Sequence, residues 1–323
     1  MGSLLFVSRE QSGTASGCVA RTEWDRFWLC RGNWVKSYPL TPNPSPPQSR
    51  GRGGPERYNA AMSTARAVAA EVLTAARTAN AWAAELVDEH LNRTPLSPQD
   101  RRFVTQLVFG VIRRKATLDA LLRPFVQRPF HDVEEPLVDV LRLGAFQLAF
   151  LTQVPKHAAV HESVELADHL RNPRAKGFLN GVLRRVAEVV TDSYTEHPAA
   201  NAFPTDDKYR RLAEPLLADP TTAPASYLAA GFSWPRWLAD RWLDRHGFDE
   251  CVRLGFWFNA PPPLWLRVNS LRTDREGYRL QLATRNVDAD PGEHPQSLHL
   301  PDGHAIRDLP GYADGDFAVQ DHS

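Results

Sequence analysis

Apolar residues recur at three- and four-residue steps through Ala65, Val68, Ala69, Val72, Leu73 and Ala76, the period of an amphipathic helix. A second helix is predicted over about Ala81–Asn92, before Pro95 and Pro98 interrupt the pattern. Ser97 is placed to cap a third, marked by Phe103, Leu107, Val108, Val111 and Ile112. Leu118, Leu121 and Leu122 extend that pattern to Pro124. Leu137, Val140, Leu141, Leu143, Ala145, Leu148 and Leu151 mark a long helix after Pro136. Val160, Val164, Ala167 and Leu170 mark the next, and Phe178, Leu179, Val182, Leu183 and Val186 the last. No window from 62 to 190 alternates as a half-buried strand does. The prediction is an all-α bundle of about six or seven helices. Gly144 and Gly181 fall inside helices, where glycine costs ~1 kcal/mol against alanine; close helix approach is the expected reason at both.

Beyond 190 the pattern changes. Residues 191–225 are rich in Pro, Asp, Ala and Thr and read as a linker with short helical pieces around Tyr209–Leu217. Residues 226–262 form a Trp-rich helical segment in which Trp234, Trp237, Leu238, Arg241 and Trp242 share a face, followed by a helix over about Asp249–Asn259. Core packing is the expected role of these tryptophans. Leu264–Asn269 alternates as a strand, a helix is expected over about Asp274–Thr284, and Ser297–Leu300 and Asp316–Gln320 are short strand candidates. Residues 263–323 therefore read as a small α+β unit of ferredoxin or RRM type, whose completeness the sequence leaves open. The fold class is mainly α.

Residues 1–61 show neither period. Trp24, Trp28 and Trp34 precede a Pro/Gly/Arg-rich tract over 41–55 that no helix or sheet ladder continues. Met62 is the only methionine after Met1 and stands directly before the helix-capping pair Ser63-Thr64. The expectation is that translation starts at Met62, the alternative being a disordered basic tail; a native peptide from 20–57 in mass spectra would exclude the former.

Charge alters this picture once it is divided. The chain of 323 residues carries 38 Lys+Arg and 38 Asp+Glu, yet residues 1–61 sum to +4, 62–190 to +3 and 191–323 to −7. A zero total does not exclude a nucleic-acid partner for the front of the chain. No apolar run approaches ~18 residues, so no membrane partner is expected. Cys18, Cys30 and Cys251 form no CxxC pair, which disfavours a disulfide framework or zinc site and makes the cytoplasm the default compartment. His157 and His161 have metal-ligand spacing but no third ligand nearby, so no metal is expected.

Basic residues cluster in the bundle. Arg66 stands on the first helix, Arg101 and Arg102 open the third, Arg113, Arg114 and Lys115 follow about three turns later, and Lys176, Arg184 and Arg185 sit on the last. Such clusters can neutralise phosphates. They can equally be solvated faces with local acidic partners. No aromatic stripe accompanies them in sequence, so base stacking is not signalled.

Asp100-Arg-Arg-Phe-Val-Thr-Gln-Leu-Val-Phe-Gly-Val-Ile-Arg-Arg114 resembles a segment of the NusB/RsmB helical domain family. So do Leu141-Arg-Leu-Gly-Ala-Phe-Gln-Leu148, the stretch Val154–Ala167, and Lys176-Gly-Phe-Leu-Asn-Gly-Val-Leu-Arg-Arg185. The resemblance implies RNA binding, either as a transcription antitermination factor that works with RNA and a ribosomal protein, or as the front of a ribosomal-RNA cytosine-C5 methyltransferase. Pro235-Arg-Trp-Leu238, Leu266-Arg-Val-Asn269 and Asp316-Phe-Ala-Val-Gln-Asp321 are similar to the segment that precedes the catalytic domain in the second kind. That reading implies small-subunit ribosomal RNA as partner and adds Arg267 and Asn269 as RNA contacts near the target base. A third reading is a helical protein–protein module without RNA.

The methyltransferase resemblance also implies S-adenosylmethionine, a Gly-rich turn to hold it and a nucleophilic cysteine. The sequence holds no such turn, and Cys251 lies on a helix ahead of the strand at 264. The expectation is that this chain stops before the catalytic domain, has no cofactor or catalytic residue of its own, and methylates nothing by itself. A separately encoded catalytic half is then a further expected partner. Label transferred from S-adenosylmethionine to cytosine C5 by this chain alone would refute the expectation.

Overall fold

The computed structural model describes residues 55–78, 81–260, 263–301 and 306–320. The expectations for residues 1–54 lie outside these. Seven helices build the first part: α1 Pro55–Thr78, α2 Ala83–Arg93, α3 Pro98–Arg113, α4 Lys115–Leu122, α5 Glu135–Phe150, α6 Lys156–His169 and α7 Lys176–Val189. Helix α1 begins ahead of Met62, so the expected boundary at 62 falls inside it.

The centre is α5, in which every residue from Leu137 to Ala149 is buried. A helix apolar nearly all round must be wrapped on every side, and α1, α3, α4, α6 and α7 all pack on it. Gly110 on α3 and Gly144 on α5 mark the close crossings. A Cβ at Gly110 would lie 2.0 Å from Phe146 Cζ, and one at Gly144 2.7 Å from the Leu183 methyls. Gly181 has open space instead, so the expectation of close approach there is wrong. Ser97 caps α3 as expected, its Oγ accepting from the Asp100 N–H at 3.1 Å. The pattern that runs on to Pro124 is broken at Arg114, where φ −103° and ψ 15° leave the helix and α4 starts anew.

Residues 190–217 are not a linker with helical pieces. They form β1 Val190–Thr195, β2 Ala202–Pro204 and β3 Tyr209–Leu212, an antiparallel sheet of order β1-β3-β2. Phe203, Tyr209, Leu212 and Leu217 belong to the same hydrophobic cluster as the bundle. The strands are three to six residues long and carry Arg, Asp and Pro. Period alone cannot detect such strands, because burial against the bundle rather than alternation selects them.

Helices α8 Pro224–Gly231, α9 Arg236–His246 and α10 Phe248–Asn259 follow. Leu228, Phe232, Trp234, Ala239 and Cys251 form their core. Trp234 and Leu238 are buried, but Trp237 is 59% exposed and Arg241 faces solvent, so the five expected residues do not share one face. Trp234 lies before α9 begins, which shifts it out of the helical register. The group clips to α4 through polar contacts: the Ala116 N–H donates to Ser233 Oγ at 2.7 Å, and Thr117 Oγ1 to the Ala230 carbonyl at 2.7 Å.

The small α+β unit contains β4 Leu264–Val268, α11 Arg275–Ala283, β5 Asp290–Pro291, β6 Ser297–Leu300 and β7 Phe317–Val319. Its sheet has the order β5-β6-β4-β7 with antiparallel pairs throughout. Leu266, Val268, Leu298, Leu300 and Phe317 pack with Tyr278 and Leu282 of α11 in a cluster of their own. Asp274 caps α11 by accepting from the Gly277 N–H at 2.6 Å.

Candidate nucleic-acid interface

The basic residues singled out in the sequence do not form one surface. Arg66 is 2% exposed; its Nε donates to Gln147 Oε1 at 2.7 Å and its guanidinium lies over the Phe103 ring. Arg114 is 3% exposed and donates to the Pro204 and Thr205 carbonyls at 3.2 and 2.9 Å. Burial in this site lowers the Arg114 pKa to about 10, against the raising influence of Asp206. Both arginines point inward because the carbonyls and the amide they bind would otherwise be buried without donors. They are corrections to the candidate set, for neither can reach a phosphate.

Arg101 is half-buried and donates to the Leu91 carbonyl. Arg113 is half-buried, with Nη1 donating to the Asn259 carbonyl at 3.1 Å, and desolvation chiefly lowers its pKa. Lys176 is held between Glu165 and Asp168 at 2.9 and 2.6 Å, and the hydrogen bond to Asp168 is the main reason its pKa is raised. Lys115 is half-buried. Asn269 closes the turn after β4: its Nδ2 donates to the Gly315 carbonyl at 2.9 Å and its Oδ1 accepts from the Leu271 N–H at 3.1 Å. Arg102, Arg184, Arg185 and Arg267 are exposed.

The structure assembles a patch that the linear order conceals. The 3-10 turn Arg123–Phe125 packs against α7. This brings Phe125, Phe130 and Phe178, all half-buried, onto the surface that carries Arg185. Arg123 lies 5.7 Å from the centroid of Phe130, Arg128 5.4 Å from that of Phe178, and Arg185 5.5 Å from that of Phe125. Arg128 and Arg185 also meet Glu134 and Glu188, at 3.2 and 2.8 Å. Both carboxylates are exposed, and exposed pairs of this kind exchange readily with a phosphate. Cationic groups over aromatic faces form a surface on which phosphates and bases can both bind. Arg123 and Arg128 escaped the sequence reading because Phe178 and Arg185 stand some fifty positions away. The dense run Arg123-Pro-Phe-Val-Gln-Arg128 was the available signal.

Cys251 is fully buried and burial raises its thiol pKa, which favours the inert protonated form. Among the described residues no group of three or more His, Cys, Asp or Glu could hold a metal, and no helix is long and apolar enough to cross a membrane. The recess beside Trp265 is lined by Leu266, Arg267, His294, Ser297 and Gln320, and among the described residues neither sheet carries a Gly-rich strand-to-helix turn of the kind that holds S-adenosylmethionine.

Residues 63–188 match the NusB family, and residues 234–307 the ferredoxin-like domain described as Methyltr_RsmF/B-like. A protein of Synechocystis sp. called "Probable ribosomal RNA small subunit methyltransferase B" is 33% identical over 81% of this chain and 54% of its own length. One of Bacillus subtilis with the same name is 28% identical over 80% of this chain and 52% of its own. The chain thus spans about half the length of these curated relatives. The solved structure described as "Crystal Structure of PH0851" shares the fold over 80% of this chain and 53% of its own, at a TM-score of 0.54 and 14% identity.

Proposed function

We propose that this chain, whose residues 63–188 match the NusB family and 234–307 a ferredoxin-like domain of the RsmF/B methyltransferase type, is the RNA-recognition part of a ribosomal-RNA cytosine-C5 methyltransferase. The observation that carries this reading is the cluster of Arg123, Arg128 and Arg185 on Phe130, Phe178 and Phe125. The arginines would bind phosphates and the rings would carry an unpaired base, with Arg184, exposed beside Arg185, extending the charge. Small-subunit ribosomal RNA, the object named in the relatives' descriptions, is the proposed partner.

In this reading the described residues place RNA, and none of them carries a step of methyl transfer. A transfer to cytosine C5 that proceeds through a thiolate needs an accessible cysteine, and Cys251 is enclosed by Phe232, Trp234 and Ala239. The ferredoxin-like domain favours this reading over an antitermination factor, for which the bundle would suffice.

Fluorescence anisotropy with fragments of small-subunit ribosomal RNA at rising salt tests the proposal. The combined change Arg123→Glu and Arg185→Glu is expected to weaken binding at least tenfold at low salt. It should also reduce the slope of log K against log salt by about 2, one per lost phosphate contact. Unchanged affinity and slope would sink the assignment of this patch. A slope near zero in the unaltered protein would favour a protein–protein module.

A further inference from the structure

The three arginines set over phenylalanine rings are not alike. Arg123 is exposed over Phe130, and among the described residues it meets no carboxylate. Arg128 and Arg185 are each held twice. Arg128 lies over Phe178, and its Nη2 meets Glu134 Oε2 at 3.2 Å. Arg185 lies over Phe125, and its Nη1 meets Glu188 Oε2 at 2.8 Å. Both glutamates are exposed.

The fold gains little from either carboxylate. Glu188 stands in the last turn of α7, where the helix dipole disfavours an acid. Its exposed pair with Arg185, three residues back, adds little to a helix. Glu134 flanks the start of α5, but the capping there is done by its backbone carbonyl, which accepts from the Leu137 and Val138 N–H groups at 2.9 and 3.1 Å. Its side chain caps nothing. What the two carboxylates do is fill places that a phosphate would take, because carboxylate and phosphate oxygens bind a guanidinium through the same charge-assisted geometry. Exposed pairs are weak enough for a phosphate to displace, yet each displacement subtracts from the binding that follows.

We propose that Glu134 and Glu188 are competitors built into the patch. They occupy Arg128 and Arg185 in the free protein, and RNA phosphates must push them aside. Arg123, which has no such competitor, takes the first contact. The inference rests on the reading that this patch binds RNA, and deepens it by naming what limits how tightly RNA is held. A contact offset in this way gives a complex that dissociates faster.

The test measures the affinity of the full chain for a fragment of small-subunit ribosomal RNA. Glu134→Gln and Glu188→Gln keep the size of each side chain and remove its charge. Each is expected to tighten binding about 1.5- to 5-fold, and the two together roughly 2- to 20-fold. The gain from Glu188→Gln should vanish in an Arg185→Ala background, and that from Glu134→Gln in an Arg128→Ala background, since no pair is then left to relieve. Asp132→Asn is the control: it removes the same charge two residues from Glu134, at a side chain whose partner is His131 at 3.4 Å. Unchanged or weaker binding in either glutamine variant, gains that persist in the alanine backgrounds, or an equal gain from Asp132→Asn overturns the proposal. Should Glu134→Gln loosen the bundle, Glu188→Gln with its alanine background decides alone. If Arg123→Glu with Arg185→Glu weakens binding while the glutamine variants change nothing, the competitors fail and the patch stands; if neither set changes binding, the patch itself falls.

Discussion

The bundle and the small α+β unit use arginine in opposite ways. In the bundle, Arg66, Arg114, Arg142 and Arg210 turn inward and bind amides, carbonyls and carboxylates. Arg142 is a hub on α5, bonded to both oxygens of Asp119 at 2.8 and 3.0 Å and to Asp139 at 3.3 Å, with Arg77 closing on Asp139 at 2.9 Å. In the small unit the arginines stay at or near the surface, and the buried polar group is a phenol, Tyr278, which donates to the Pro310 carbonyl at 2.9 Å. A basic residue in a sequence is therefore no measure of a basic surface. Neighbours can divide: Arg114 is enclosed while Arg113 is half-buried, and Arg102 is exposed while Arg101 reaches back to α2.

Breaking the inward network is expected to have the largest effect. Arg142→Ala leaves the largely enclosed Asp119 without its cation and Asp139 with Arg77 alone, a loss of ~3–5 kcal/mol in urea unfolding. If the loss were under ~1 kcal/mol, the contrast between the regions would be one of geometry and not of energy. The two glycines inside helices sharpen the same point within the bundle. Gly144→Ala meets the Leu183 methyls and should cost ~1–3 kcal/mol, whereas Gly181→Ala meets nothing within 4 Å and should add about 0.5–1 kcal/mol to stability.

The small unit is expected to respond more gently. Tyr278→Phe removes one hydrogen bond, worth about 1 kcal/mol. Burial raises the Tyr278 pKa, as it does those of Tyr209 and Tyr227 in and beside the bundle. A phenol whose folded pKa is raised contributes stability that is present below the ordinary value of about 10 and lost as pH rises above it. Alkaline titration followed by tyrosine absorbance should show a late, unfolding-linked step that Tyr278→Phe diminishes. Smallest of all, Arg184→Ala on the exposed face of α7 should shift stability by less than about 0.5 kcal/mol.

The helices and the small unit were legible because their apolar positions follow one period for two turns or more, and Ser97 and Asp274 supply caps. What escaped was decided by contacts distant in sequence. The sheet of β1, β2 and β3 holds its place through Phe203 and Tyr209 against the bundle, and its own residues show no alternation. Of the candidate site the basic clusters were legible, and the family resemblance gave them RNA as the partner proposed above. The membership of the site was not legible. Whether an arginine faces in or out depends on whether a carbonyl or carboxylate from another element waits for it, as Pro204 and Thr205 wait for Arg114. Phe178 joined the site only once the turn at 123–125 had packed beside it.

Arg210 gives the fold a sequence in time. Its Nη1 donates to the carbonyls of Leu148 and Ala149, in the last turn of α5, at 3.2 and 2.9 Å. Those carbonyls have no partner inside their own helix, and the donor follows Ala149 by 61 residues. During synthesis, at roughly 5–20 residues per second, α5 emerges some seconds before Arg210 exists. Its last turn must stay hydrated until β3 arrives, so the central helix is finished only by an element made after it.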